Sequence, residues 1–242
     1  MARSARGAAD AAATSTPRLL TAPARASLAD SVHASLLTWL MDGHAAPGES
    51  LSIDGLAREL GVSPTPVREA LVRIESTGLV ERAALKGYRV ARLLTDEEVH
   101  ALVDARILLE CRTAELAATR IGPQELTAVR ATVEAMTVAP TGPSFADYRA
   151  YHAADHEFHR LVSEAGGNPF LSAAFANLNG QVQRFRLRRS PMAGVTDADE
   201  AVREHTGVLL ALEAGDAAAA REAMRRHLEE VRRRVLADRG AG

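Results

Sequence analysis

Residues 56–80 read LARELGVSPTPVREALVRIESTGLV, two short amphipathic stretches divided by Gly61-Val62-Ser63-Pro64. That division narrows the fold more than any other feature of the chain. A glycine just past a helix end adopts the left-handed conformation that closes the helix, so Gly61 predicts the stop of a helix over 53–60. Ser63 stands where an N-cap belongs. Pro64 and Pro66 fit the first turn of the next helix, where a missing N–H costs little. Gly78 ends that helix. LVERAALKGYRVARL (79–93) then alternates apolar and polar residues on both sides of Leu85-Lys86-Gly87, the pattern of a β-hairpin. Upstream, ASLADSVHASLLTWLMD (26–42) sets Leu28, Val32, Leu36, Trp39 and Leu40 on one helical stripe, before GHAAPGES breaks the pattern. Three helices and a hairpin predict a winged helix-turn-helix over 25–94, whose third helix enters the DNA major groove.

The polar residues of this segment suit that partner. Ser63 and Thr65 open the third helix and Arg68 and Arg73 lie along it, residue types that bond phosphates and base edges. Lys86, the chain's single lysine, sits beside Gly87 at the hairpin tip, where a flexible cation next to glycine approaches a phosphate closely. Two arginines alone equally describe a solvated face paired with Glu69 or Glu75; the complete string with its hairpin favours DNA contact. Charge agrees in sign. Residues 1–95 carry 11 basic and 9 acidic side chains, against 18 and 22 in residues 96–242.

After Thr95, an N-cap ahead of Asp96, Glu97 and Glu98, every segment has helical periodicity. Helices are expected near 96–120, 123–137, 144–165, 168–189, 198–213 and 216–237, separated by Gly122-Pro123, APTGP, Gly166-Gly167, SPMAG and Gly215-Asp216. The chain is therefore expected to be mainly α, with an all-α six-helix bundle over 95–238. Aromatics make up only 4% of residues and alanine is abundant, which suits close helix packing. No apolar run approaches the roughly 20 residues that span a bilayer. Cys111 is the one cysteine, so no internal disulfide or thiolate zinc cluster forms, and a reducing cytoplasmic setting is expected. Residues 1–24, rich in Ala, Ser, Thr, Pro and Arg, read as a disordered tail rather than a secretory signal.

Within the bundle, HAADHEFHRLV (152–162) gathers three histidines and an aspartate. Asp155 and His159 are four apart and share a helix face. His205 falls in phase with Val202, Leu209 and Leu212, and His227 with Met224 and Val231, so both face inward. They stand about ten residues before and twelve after the Gly215-Asp216 turn, so an antiparallel helix pair brings them to similar depth. An inward histidine alone is ordinarily a hydrogen-bonded core residue. Two of them beside an Asp-x-x-x-His helix open the alternative of a metal site.

LARELGVSPTPVREAL with the following GLV and KGYRV resembles the GntR superfamily of bacterial transcription regulators, over about residues 26–92. Members often carry a guanine-reading arginine where this chain has Pro64; their second contact matches Arg68, and Asp54, before the second helix's leucine, is not expected to contact phosphate. The C-terminal part, over about 96–237, resembles the FadR-type effector domain called FCD, in its shorter VanR-like branch. The likeness rests on Asp155–His159, on Glu204-His205 with LLALEAGD, and on His227-Leu228. It implies that Asp155, His159, His205 and His227 bind a divalent metal. One oxygen and three imidazoles suit zinc, the default, as well as nickel, iron or manganese.

The resemblance further implies a homodimer on a near-palindromic double-stranded operator, and most often a repressor released by a small carboxylic acid. Arg106, in an R-x-x-LE pattern ending at Glu110, would clamp the acid; an internal Arg106–Glu110 pair is the competing role. His152 would line the pocket and Arg186, in RFRLRRS, would reach it, with His156 peripheral and no role for His33, His44 or His100. Two other readings stay open: a metal-dependent hydrolase with Glu157 or Glu204 as base, and a purely structural metal.

Overall fold

The computed structural model describes residues 28–83, 87–142, 144–186 and 197–240. The expected tail over 1–24 and Lys86 lie outside them. The described residues form α1 (Leu28–Met41), β1 (Ser50–Leu51), α2 (Ile53–Leu60), α3 (Pro64–Ser76), β2 (Val80–Ala83) and β3 (Gly87–Val90). The bundle follows as α4 (Asp96–Ala118), α5 (Pro123–Val138), α6 (Phe145–Ala165), α7 (Pro169–Arg186), α8 (Ala198–Glu213) and α9 (Ala217–Gly240).

The winged head is built as the punctuation predicts. Gly61 closes α2 at φ 66°, and Ser52 caps its start by accepting from the Gly55 amide at 3.1 Å. Ser63 occupies the N-cap of α3 in extended backbone, but its hydroxyl makes no capping bond. β2 and β3 pair antiparallel with Val80 opposite Val90 and Ala83 opposite Gly87. The short β1 adds to the far side of β3, giving the order β1-β3-β2. A two-residue strand has no periodicity to read, so it was not among the expectations. Val32, Leu36, Leu40, Val67, Leu71, Ile74, Leu79, Val80 and Val90 are buried in a common core. Leu28 departs from the predicted stripe and stays exposed, while Trp39 is half-buried and stacks on His44.

Thr95 and Glu98 form a reciprocal capping box that starts α4. This helix is central to the bundle: it packs against α6, α7, α8 and α9. α5 packs on α6 and α8, and α8 pairs with α9 across the turn at Gly215, φ 67°. Buried alanines, among them Ala114, Ala117, Ala154 and Ala220, let the helices approach closely around Phe158, which is fully buried. Truncating such a phenylalanine to alanine typically costs about 3–5 kcal/mol. Among the described residues no helix is long and apolar enough to cross a membrane.

Candidate metal centre

His159 on α6, His205 on α8 and His227 on α9 project into the middle of the bundle and are 4%, 0% and 2% exposed. One ring nitrogen from each lies within 4.8 Å of the other two. The ring centroids are 5.3 Å apart for His159–His205, 5.2 Å for His159–His227 and 4.3 Å for His205–His227. The helical phases read from sequence account for this: α8 and α9 form an antiparallel hairpin, and α6 crosses it through the buried Phe158, whose ring lies edge-on to His205 at 4.7 Å.

Each Nδ1 faces an acceptor. His205 Nδ1 lies 2.6 Å from the Ala201 carbonyl oxygen, which can only accept. His227 Nδ1 lies 2.8 Å from Glu204 Oε2. His159 Nδ1 lies 2.6 Å from Glu110 Oε2, a close polar contact without the alignment of a full hydrogen bond. Both glutamates are ionised. Burial raises the Glu110 carboxyl, but Arg106 and His159 outweigh it and hold it at about 2. Burial likewise raises Glu204, and hydrogen bonds from Arg234 and His227 bring it to about 2. A proton on each Nδ1, toward these acceptors, would leave the three Nε2 atoms with lone pairs facing one another. His159 and His205 Nε2 are 3.4 Å apart, and His227 Nε2 is buried without a hydrogen-bond partner. Burial and the neighbouring His205 depress His227 to about 3, so its ring is neutral.

Three imidazole nitrogens converging in a buried space fit a cation. Two ligands about 2.1 Å from a tetrahedral ion are about 3.4 Å apart, the separation that His159 and His205 have here. Asp155 Oδ1 lies 3.3 Å from His205 Nε2 and 3.9 Å from His159 Nε2, so the carboxylate borders the same point. The donor set and its buried orphan nitrogen therefore fit a divalent metal.

The remaining predicted residues are placed as follows. Arg106 is buried and its Nε donates to Glu110 at 2.6 Å, the internal pair that competed with an effector role in the sequence. His152, buried one turn before Asp155, packs edge-on against Tyr148 and Tyr151. The backbone of Arg186 ends α7, and its side chain is outside what is described. His156 stacks on Phe175, which agrees with a peripheral place.

In the head, Ser63, Thr65, Arg68 and Gly87 are exposed. Arg73 is also exposed, but its Nη1 donates to Asp30 on α1 at 2.6 Å rather than to Glu69 or Glu75. Glu157 bonds Arg160, and Glu204 is held by His227 and Arg234, so both proposed hydrolytic bases are engaged. Sequence reasoning did not identify Glu110 and Glu204 as partners of the histidines. The signal available was a buried-phase glutamate four residues after Arg106, and another directly before His205.

Two family descriptions match the chain. Residues 28–90 match bacterial regulatory proteins of the gntR family, and residues 101–230 match the FCD domain. Over 204 residues the chain is 32% identical to a protein named "Probable D-xylose utilization operon transcriptional repressor" from Paenarthrobacter nicotinovorans, covering 84% of this chain and 87% of that one. It is 31% identical over 215 residues to the "Uxu operon transcriptional regulator" of Escherichia coli strain K12, covering 78% and 79%. The solved structure "E. coli McbR/YncC" has the same fold, with a TM-score of 0.67 at 22% identity over 87% of this chain and 97% of that one.

Proposed function

The chain belongs to the gntR family of bacterial regulatory proteins and carries an FCD domain, making it a DNA-binding transcription regulator rather than an enzyme; on that premise we propose a cytoplasmic homodimeric repressor whose operator affinity is set by a small carboxylic acid bound at a divalent metal. The observation that carries the metal reading is the convergence of three imidazole nitrogens in a buried space, each ring with an acceptor facing its Nδ1. His159, His205 and His227 would hold the ion with Asp155 at its edge. Bound there, zinc or a similar ion supplies a Lewis-acidic point with an open position for a carboxylate oxygen.

The protein's own groups do the rest. Glu110, Glu204 and the Ala201 carbonyl keep the imidazoles in the Nε2-facing tautomer. Arg106, already bonded to Glu110, is the nearest buried cation on α4 to share a second carboxylate oxygen. In the head, Ser63, Thr65, Arg68 and Gly87 meet the operator, joined by Lys86, the sequence neighbour of Gly87, and two-fold symmetry would set two copies of α3 about one DNA turn apart. The likeness to a protein named for a D-xylose utilization operon favours sugar-derived acids among the effectors.

The test is thermal unfolding against a panel of small carboxylic and sugar acids, zinc-loaded and chelated. An acid that raises the midpoint only in the loaded protein, and that releases the protein from an operator selected out of genomic fragments, supports the proposal. Acids that stabilise loaded and chelated protein equally remove the metal from the effector site. Stability that collapses on chelation with no acid effect reduces the metal to a structural tie.

A further inference from the structure

Among the described residues, the winged head meets the bundle at α7 and at α6. The first is α7 against the end of the recognition helix. A Cβ added at Gly180 would lie 3.0 Å from the Ser76 carbonyl oxygen and 3.3 Å from the Thr77 carbonyl carbon, both backbone atoms that cannot swing aside. From the other side, Gly78 turns at φ 73°, and a Cβ there would lie 3.3 Å from the Gly180 carbonyl oxygen. Two glycines thus put backbone against backbone where α3 stops. Arg184, one turn further along α7, donates to Gln181 at 2.9 Å and to the Arg92 carbonyl at 2.5 Å, fastening α7 to the link between wing and bundle. The second place is the start of α6. Asp42, directly after α1, accepts from the Phe145 amide at 2.6 Å, satisfying a helix N-terminal donor that has no partner within its own helix.

These contacts start from α6, which carries two residues of the candidate site, and from α7, which packs on it. α6 carries Asp155 and His159, and α7 packs on α6 after the Gly166-Gly167 turn. α1, held by Asp42, packs in turn on α3. We infer that Gly180 and Asp42 are positioning residues for DNA binding: they mount the recognition helix on α7 and α6, so that the orientation of α3 follows the state of the metal site. The coupling half of this inference rests on the proposed metal-dependent regulation; the seam itself does not. Both contacts are short and directional, and the glycine contact admits no side chain. A small shift of α6 or α7 is therefore passed to α3 rather than absorbed by flexible side chains.

Amide hydrogen exchange tests this with the full-length protein and zinc as the probe. In chelated protein, Gly180→Val and Asp42→Ala should raise exchange over residues 73–79 about tenfold above wild type, while the core of α4 is unchanged. Gly180→Ala should give a smaller change in the same direction, which guards against a folding failure in the valine variant. Unchanged exchange over 73–79 in all three variants overturns the seam, whatever the metal does. In wild type, zinc should alter exchange both in α6, α8 and α9 and over 73–79; the variants should keep the first response and lose the second. Zinc protection of the bundle with no response at 73–79 in wild type overturns the coupling. Absence of any zinc effect in the bundle overturns the metal reading instead, and the chelated comparison alone then decides the seam.

Discussion

Glu204 Oε2 lies 2.8 Å from His227 Nδ1, while both of its oxygens accept from Arg234, at 2.6 and 2.9 Å. The other buried glutamate repeats the arrangement, since Glu110 stands between Arg106 and His159. Two Arg–Glu–His chains thus reach the same point, one from α4 to α6 and one between α9 and α8. In each, the arginine keeps the glutamate ionised and the glutamate keeps the imidazole turned. Glu204→Gln preserves the shape but replaces a charged acceptor by an amide that can flip. Zinc affinity, read by competition with a chromogenic chelator, should fall about 10–100-fold.

Removing a ligand should do more. His205 is fully enclosed, and no neighbouring side chain offers its nitrogen to the same point from α8. His205→Ala should bring zinc per chain, measured by elemental analysis after dialysis, close to zero. It should also abolish the thermal shift between loaded and chelated protein. In wild type that shift corresponds to about 4 kcal/mol when free zinc exceeds Kd a thousandfold.

Acid should destabilise the chelated protein through His227. Its folded value, about 3, lies below the ordinary 6.5, so between these values the unfolded chain binds a proton that the folded chain refuses. Stability is therefore full above about pH 6.5, declines as pH falls toward 3, and has no further His227-linked loss below that. Urea midpoints of chelated protein should drop between pH 7.5 and pH 5. The drop should be shallower in His227→Gln; an equal drop in both would place the acid sensitivity elsewhere.

The two recognition-helix arginines should separate. Arg68 is exposed, and no bond to a neighbour holds it back from DNA among the contacts seen, whereas Arg73 is tied to Asp30. Against an operator selected from genomic fragments, Arg68→Ala should cost about 1–3 kcal/mol, or roughly 5–150-fold. Arg73→Ala should cost about threefold or less, since its exposed ion pair is worth under about 1 kcal/mol and must be given up before any phosphate contact. Filter binding at fixed salt distinguishes them, and equal losses would show that Arg73 leaves Asp30 for DNA.

Thr95→Ala should remove one half of the capping box that starts α4. A loss of about 1 kcal/mol is expected, seen as a fall of a few degrees in Tm. Zinc affinity should be unchanged, because Arg106 and Glu110 lie three to four turns further along the helix.

The local parts of this structure were legible because backbone restrictions act on single residues. Gly61 and Gly78 take the left-handed conformation that other residues resist, Pro64 suits only a first helical turn and Thr95 offers a capping oxygen, so the element boundaries they mark agree with the sequence reading. Helical phase also carries far: it was enough to turn His205 and His227 inward and to meet at a common depth. What phase does not give is the partner across a helix crossing. The Asp30–Arg73 bond joins residues 43 apart, and Glu110 finds His159 only because α4 crosses α6 at that height. Neither separation follows a period. The two-residue β1 failed for the opposite reason: it is held by pairing with Tyr88 and Arg89, not by any pattern of its own.

The four residues around the candidate site fall at 155, 159, 205 and 227, on the sixth, eighth and ninth helices in chain order. During synthesis the amino-terminal head leaves the ribosome first, and all its core residues precede position 95. The head can therefore fold while the site is still half made. Until α9 emerges, a nascent chain has two imidazoles and a carboxylate to offer, and His227 Nε2 closes the set. The head is thus finished before the candidate metal centre, and a chain cut short before His227 would keep the first and lose the second.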